Sequence, residues 1–293
     1  MIKYTIMIPV YNKLDCLRKY LSSVINQNIV DYEVIVIDDF STDGSYEYLK
    51  RIEKKCNKLK VYRNGKNMGI GYTRNKLISY SRGKYLIFVD PDDYIEEKLL
   101  RELDKYYDLD LDVVRFQNVI EPVGPIQVLN EQGKNLYRYS CPSTDVITGE
   151  EALLEWFFGE RKINTFPWTY AIKKEIFNGV SYPEVSVLED LAITPYLIAK
   201  SNKIKAIDFV GYHYLKYDNS LSANSDEYAV YKLEILKQII ELAKLYISTT
   251  NISEQTKKLY YEDPYQKTFT AQVLSCEPGK KGRYQVILDQ TAF

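Results

Sequence analysis

Over residues 3–89, short apolar runs alternate with stretches of helical spacing, and a polar loop follows each run. That alternation narrows the fold at once, because neighbouring parallel strands need a long crossover and a helix supplies it. Residues 3–9 form the first run, ending at Pro9. Val10-Tyr11-Asn12 then leads to Leu14, Leu17, Leu21, Val24 and Ile25, spaced along one helix face. The unit returns at 32–38, with the loop from Asp39 to Gly44 and a helix from about Ser45. A shorter run at 59–63 passes through Asn67-Met68-Gly69-Ile70-Gly71 into a helix near 72–81, and residues 84–89 make a fourth strand. The runs are nearly all apolar, which predicts a sheet covered on both faces. In such sheets ligands collect at the carboxyl ends of the strands. The loops there hold Asn12, Asp38, Asp39, Asp90, Asp92 and Asp93.

After about residue 110 the pattern becomes mixed. Strand-like runs at 112–116 and 119–129 precede a polar stretch at 130–147 and a helix from Thr148. Glu189-Asp190 opens a further helix, in which Pro195 is tolerable only in the first turn. Apolar positions at 229, 233, 236, 240, 243 and 247 predict a long amphipathic helix over 226–248. Its polar face alternates Lys232, Glu234, Lys237, Glu241 and Lys244, unlike the basic face of a membrane-surface helix, so packing on the rest of the chain is expected.

The composition is that of an ordinary soluble chain, 45% hydrophobic and 27% charged over 293 residues. A net charge of -1 provides no bulk attraction to nucleic acid or anionic lipid, so any phosphate ligand must be held locally. Cys16, Cys56, Cys141 and Cys276 are far apart, which fits reduced thiols and a cytoplasmic location better than a disulfide framework or a zinc ribbon. The single histidine, His213, argues against a His-rich metal site. No run approaches a membrane span, and Lys3 and Lys13 interrupt the start too early for a signal peptide. The 28 tyrosines are read as genome composition, since Lys far outnumbers Arg.

Phe88-Val89-Asp90-Pro91-Asp92-Asp93 is the strongest local signal. Three acids in four positions repel one another at a strand end unless a cation offsets them. Pro91 favours extended backbone at Asp90, aiming the first and third carboxylates toward one cleft. Oxygen ligands suit Mg2+ or Mn2+, either of which can bridge to phosphate. Taken alone, the pattern fits a solvated acidic turn capping the following helix better than a metal site. Asp39 and the segment Asn67 to Asn75 tip the balance: a carboxylate can accept the N3–H of uracil, Tyr11 offers an aromatic face, and Arg74 can answer a diphosphate. The glycine segment lacks the third Gly of a dinucleotide fingerprint, which argues against NAD.

Five ordered segments resemble the family 2 glycosyltransferases with the GT-A fold: Thr5-Ile-Met-Ile-Pro-Val-Tyr-Asn12, Val36-Ile-Asp-Asp-Phe-Ser-Thr-Asp-Gly-Ser45, Asn67-Met-Gly-Ile-Gly-Tyr-Thr-Arg-Asn75, Gly83-Lys-Tyr-Leu-Ile-Phe-Val-Asp-Pro-Asp-Asp93 and Glu189-Asp190. The resemblance spans roughly residues 1–250. It implies an α/β fold of GT-A type, with a Rossmann-like, mostly parallel central sheet flanked by helices and a C-terminal helical extension. Residues 1–110 would be a nucleotide-sugar-binding half, 111–218 an acceptor-binding half and 219–256 the helical segment. By that likeness Pro9, Tyr11 and Asp39 hold the uridine. Asp90 holds the ribose, Asp92 binds Mn2+ or Mg2+ at the diphosphate beside Arg74, and Asp190 is the catalytic base. Glu189 is the competing base on the acceptor side, and both acids could instead cap their helix. Trp168 is an acceptor-sugar platform or a core residue. His213, in the aromatic segment Tyr212-His213-Tyr214, is a phosphate contact or a satisfied core histidine. Thr73 stands where the family often has Ala, a change expected to be neutral.

The implied activity is inverting, metal-dependent transfer from a UDP-sugar to a hydroxyl of a surface polysaccharide or glycolipid. The partners are then a UDP-sugar donor and a saccharide or lipid-linked saccharide acceptor, without nucleic acid or a membrane span. There is room for peripheral association at the inner membrane face and for a homo-oligomer. Nucleotidyl transfer would call for a basic triphosphate loop after the first strand, which Val10-Tyr11-Asn12 is not. An inactive nucleotide-sugar binder stays open. Residues 257–293 look foreign: Leu259 to Phe269 and Tyr284 to Phe293 resemble the opening of alanyl-tRNA editing proteins. The likeness stops before any His or Cys metal-ligand motif, so it implies no editing activity, and the fragment is expected to add nothing to the site.

Overall fold

A computed structural model describes residues 1–123, 138–139, 143–158, 166–185, 188–217 and 226–262. The four apolar runs are strands β1 (Tyr4–Val10), β2 (Tyr32–Asp38), β3 (Leu59–Arg63) and β4 (Tyr85–Phe88), joined by helices α1 (Leu14–Ile25), α2 (Ser45–Glu53) and α3 (Ile70–Tyr80). They pair in parallel in the order β3-β2-β1-β4. Successive side chains point to opposite faces of a strand. Met7, Ile35 and Ile37 accordingly enter one buried cluster with Leu77 of α3, while Ile6, Ile8, Val34 and Val36 enter the other with Leu17, Leu21 and Val24 of α1. The polar interruptions Thr5 and Glu33 are satisfied together: Thr5 Oγ1 donates to Glu33 at 2.9 Å, and Arg82 Nε donates to the same carboxylate at 2.8 Å.

The chain builds β2 and β3 on one side of β1 and then crosses to put β4 on the other. The crevice at that reversal, outside the carboxyl ends of β1 and β4, is where doubly wound sheets bind ligands. Pro9 lies in a central strand without breaking it, because the ladder to β4 ends at Met7 opposite Phe88 and the missing N–H is not called upon.

Beyond β4 the sheet is mixed, in keeping with the change of pattern after residue 110. Its elements are β5 (Tyr94–Ile95), α4 (Leu99–Asp104), β6 (Val113–Val123), β7 (Arg138–Tyr139), α5 (Gly149–Leu153), β8 (Tyr170–Lys173), α6 (Glu189–Lys200) and β9 (Ile204–Tyr217). β8 runs antiparallel to β4 and β6, β9 parallel to β6, and β5 antiparallel to β9. The two expected runs near 112–129 are one strand as far as Val123, and residues 124–129 lie outside the described part. Register shifts on either side of Gln117 re-phase the alternation, which is why the sequence reads as two runs. Thr148 caps α5 through a capping box with Glu151.

Three expectations are corrected. The helix near 72–81 begins at Ile70, because Gly69 takes the left-handed φ of +86° that starts it. Pro195 lies in the second turn of α6 rather than the first; ten of that helix's twelve residues are buried, and this packing outweighs one lost hydrogen bond. The third correction concerns the boundary at 257. Helix α7 (Asp226–Ser248) packs on α6 through Ile235, Ile239, Ala243 and Ile247, and a further helix, α8 (Glu254–Glu262), follows. Tyr260 of α8 is buried in the same cluster, and Thr256 Oγ1 donates to Glu150 at 2.5 Å. Residues 257–262 therefore belong to the folded body, since an aromatic ring buried this way cannot come from a passive appendage. Residues 263–293, with the rest of the likeness to editing proteins, lie outside the described part.

Candidate active site

Loops after β1, β2 and β4 meet at the crevice, and side chains knit them together. Asn12 N–H donates to Ser41 Oγ at 2.9 Å, Thr42 N–H to Asn12 Oδ1 at 2.8 Å, and Leu14 N–H to Asp43 at 2.9 Å. Ser41, Asp43 and Ser45 thus fix the loop between Asn12 and α1, whose first amides would otherwise lack acceptors. Asn12, Phe40 and Leu188, which precedes Glu189, hold left-handed φ values of 50°, 67° and 66°. Bulky side chains adopt this conformation at a cost and chiefly where surrounding structure imposes it for function.

Asp39 is buried and accepts from Asn64 Nδ2 at 2.7 Å, Met68 N–H at 2.8 Å and Gly69 N–H at 2.8 Å. A carboxylate offers about four lone-pair positions, so one remains for a ligand N–H. The Asn64 amide also donates to Thr73 Oγ1 at 3.1 Å. Thr73 is therefore in contact with the side chain that holds Asp39. Gly71 is required by close approach: a Cβ there would meet the Pro183 carbonyl at 1.9 Å. Tyr11 remains 47% exposed, its ring open to a planar ligand, and Pro9 is buried in β1.

The mutual repulsion expected in Asp90-Pro91-Asp92-Asp93 is relieved by three separate devices. Asp93 is buried, accepts from Tyr212 O–H at 2.6 Å and Leu215 N–H at 2.8 Å, and is pushed up to about 9 by burial and by the nearby Asp90 charge, with the Tyr212 and Leu215 hydrogen bonds opposing the rise. Asp92 pairs with Lys13 Nζ at 2.5 Å. Asp90 lies 3.7 Å from Arg74 Nη2; burial raises its pKa to about 6, with Arg74 opposing the rise and Asp92 and Glu189 adding to it.

Arg74 is buried between the rings of Phe88 and Tyr182, 5.5 and 5.4 Å from their centroids, and ion-paired with buried Glu189. The guanidinium therefore binds two protein carboxylates. Glu189 is the partner of Arg74, which argues against its competing role as base. Asp190, half-buried in the first turn of α6, lies within electrostatic reach of Arg74 and Tyr182.

The structure does not bring Trp168 and His213 into this group. Trp168 is 3% exposed and stacks on Tyr212 at 4.3 Å and Phe166 at 4.8 Å, which makes it core rather than a sugar platform. On β9, Tyr212 points toward the acidic turn, accepting from Asp90 N–H at 3.2 Å. His213, the next residue, faces the other way. Its ring stacks on Tyr94 at 4.2 Å and bonds Glu121 at 2.6 Å and Glu96 at 2.8 Å, so it is a satisfied histidine rather than a phosphate contact.

Lys13 and Asn64 are the site residues missed in the sequence, while Asp93, expected to aim into the cleft beside Asp90, is instead held by Tyr212 and Leu215. Lys13 carried a signal: a cation at a helix N-terminus opposes the helix dipole and needs an anionic partner. Among the described residues no group of three or more His, Cys, Asp or Glu side chains could hold a metal by itself. Asp92 offers one hard oxygen ligand, and Mg2+ can bind through as little as one carboxylate when substrate phosphates complete its shell. The Lys13 ammonium against Asp92 marks a position that favours positive charge.

The family model described as Glycosyl transferase family 2 matches residues 5–145. Poly(ribitol-phosphate) beta-glucosyltransferase of Bacillus spizizenii is 30% identical over 220 residues, which are 73% of this chain and 32% of that protein. The chain thus spans about a third of the length of that relative. The fold matches the S. aureus TarS fragment 1–349 in complex with UDP-GlcNAc, with a TM-score of 0.68, 21% identity and coverage of 94% of this chain and 72% of the other. It also matches a Pyrobaculum calidifontis mannosyltransferase in complex with GDP-Man and Mn2+, with a TM-score of 0.59, 15% identity and coverage of 93% and 72%.

Proposed function

The chain belongs to glycosyltransferase family 2 and has the GT-A fold, and from that premise we propose that it moves a sugar from a UDP-sugar to a hydroxyl of a surface polysaccharide or glycolipid, with inversion. What supports this reading is that Asp39, Asp90 and Asp92 stand in the loops at the carboxyl ends of β2 and β4, Asp39 held by the Met68 amide, Asp90 beside Arg74 and Asp92 paired with Lys13, while Tyr11 after β1 is exposed. The remaining lone pair of Asp39 receives the uracil N3–H, and the Tyr11 ring covers the base. Asp90 takes the ribose hydroxyls, and Asp92 holds a divalent cation, Mn2+ or Mg2+. Such an ion, when bound, neutralises charge that develops on the leaving diphosphate.

Arg74 keeps Asp90 oriented while Glu189 keeps Arg74 in place. Asp190, at the mouth of α6, accepts the proton of the acceptor hydroxyl. The hydroxyl oxygen forms the new bond to the anomeric carbon as the bond to the diphosphate oxygen breaks, and its electron pair leaves with UDP. A single displacement inverts the centre and needs no covalent nucleophile. The name of the Bacillus relative supports a polyol-phosphate polymer as one acceptor class. No described helix is long and apolar enough to cross a membrane, and we place the reaction at the inner membrane face, where such acceptors would be met by peripheral association.

The test is incubation with a panel of UDP-sugars and Mn2+, following UDP release with and without poly(ribitol phosphate) and glycolipid acceptors, and then with EDTA. Acceptor-stimulated release that EDTA abolishes is expected. Release of nothing from any UDP-sugar, with intact binding of another nucleotide, would overturn the reading.

A further inference from the structure

The acidic turn has two internal cations, and they differ in freedom. Arg74 is 5% exposed, stacked between rings and ion-paired to Glu189. Lys13 is anchored at its backbone, where the N–H donates to Ser45 Oγ at 3.1 Å, and its side chain is 34% exposed. Its ammonium lies 2.5 Å from Asp92 Oδ2, the oxygen a divalent cation would also seek. Two cations cannot share that oxygen without strong repulsion. A lysine ammonium is a compact point charge on a flexible stem, so it can change partners by rotamer change alone.

We propose that Lys13 is a mobile counter-cation of the donor site, competing with the divalent metal for Asp92 and moving to the diphosphate when the nucleotide binds. The inference rests on the donor reading above and adds to it a residue and an exchange. The diphosphate offers several anionic oxygens in the same crevice, and these replace Asp92 as partners of the ammonium. Lys13 therefore opposes metal binding in the absence of nucleotide and favours nucleotide binding in the absence of metal. The two effects have opposite signs. A residue that merely shaped the crevice would weaken both when altered.

The experiment uses the full chain with Lys13→Met, Lys13→Gln as a second neutral variant, and Lys13→Arg to retain the charge. Mn2+ alone is titrated by its electron paramagnetic resonance signal, and UDP alone is titrated calorimetrically in EDTA. For a partly exposed ion pair the expected change is about fivefold. Both neutral variants should bind Mn2+ about fivefold more tightly and UDP about fivefold more weakly, and Lys13→Arg should stay near the parent chain in both. Unchanged or weakened Mn2+ binding in folded neutral variants overturns the competition, and unchanged UDP binding overturns the transfer. A parent chain that binds Mn2+ but not UDP refutes the donor reading instead, and the Mn2+ comparison still decides whether Lys13 competes for Asp92.

Discussion

Replacing Glu189 by Gln separates the two carboxylates that open α6. In the parent chain Arg74 and Glu189 are 5% and 6% exposed and form an ion pair. Removing one partner of a buried pair leaves the other charge uncompensated and costs about 3–5 kcal/mol. Arg74 keeps Asp90 at 3.7 Å, and the Gln carbonyl can still accept one hydrogen bond, which puts the cost at the low end, about 3 kcal/mol. For a chain of this size that lowers Tm by roughly 6–12 °C. A second effect runs through Asp90, whose pKa of about 6 includes an upward push from the Glu189 charge. The ribose contact needs Asp90 as a carboxylate, so UDP affinity is expected to reach its plateau about one pH unit above 6 and to fall, by at most about tenfold per pH unit, below it. Without the Glu189 charge, Arg74 acts on Asp90 alone and this acid limb moves to lower pH. Thermal melts and calorimetric titration of UDP with Mn2+ across the acid range measure both effects. A variant as stable as the parent with an unmoved acid limb would refute the pairing. Collapse of turnover with stability and donor affinity intact would transfer the proton-accepting role to Glu189.

Asp190→Asn is expected to lower kcat by about 10²–10⁴ while leaving the Kd for UDP unchanged, because a general base acts on the acceptor in the transition state; stopped-assay turnover and calorimetry decide it. Asp92→Ala should abolish the Mn2+-dependent increment of UDP affinity, and equal increments in variant and parent would remove Asp92 from the metal site. Deleting 263–293 should leave donor affinity unchanged, since every residue assigned to chemistry lies at or before Asp190 in the chain. Deleting from 257 should also cost about 3 kcal/mol through loss of the buried Tyr260 ring, which urea melts of the two truncations would distinguish.

Much of the molecule was legible residue by residue. The strands at 4–10, 32–38, 59–63 and 85–88 follow from short apolar runs bounded by polar loops, and the helices beginning at Leu14 and Ser45 from a period of 3.6, all local properties of the chain. The polar loops at the strand ends could be placed for the same reason, and with them the loop positions of Asp39, Asp90 and Asp92. Partnerships were not legible, because they join segments far apart in sequence. Lys13 meets Asp92 across 79 positions, Arg74 meets Glu189 across 115, and Asp93 meets Tyr212 across 119. Strand register decided the rest. Tyr212 and His213 are adjacent in sequence, and the pairing of β9 with β5 turned the tyrosine toward the acidic turn and the histidine toward Glu96 and Glu121. The sequence by itself therefore determined which carboxylates stand at the crevice. Only the tertiary structure decided how their charge is balanced, with Tyr212 and Leu215 on Asp93, Lys13 on Asp92 and Arg74 beside Asp90, because electrostatic balance depends on distances that no local pattern encodes.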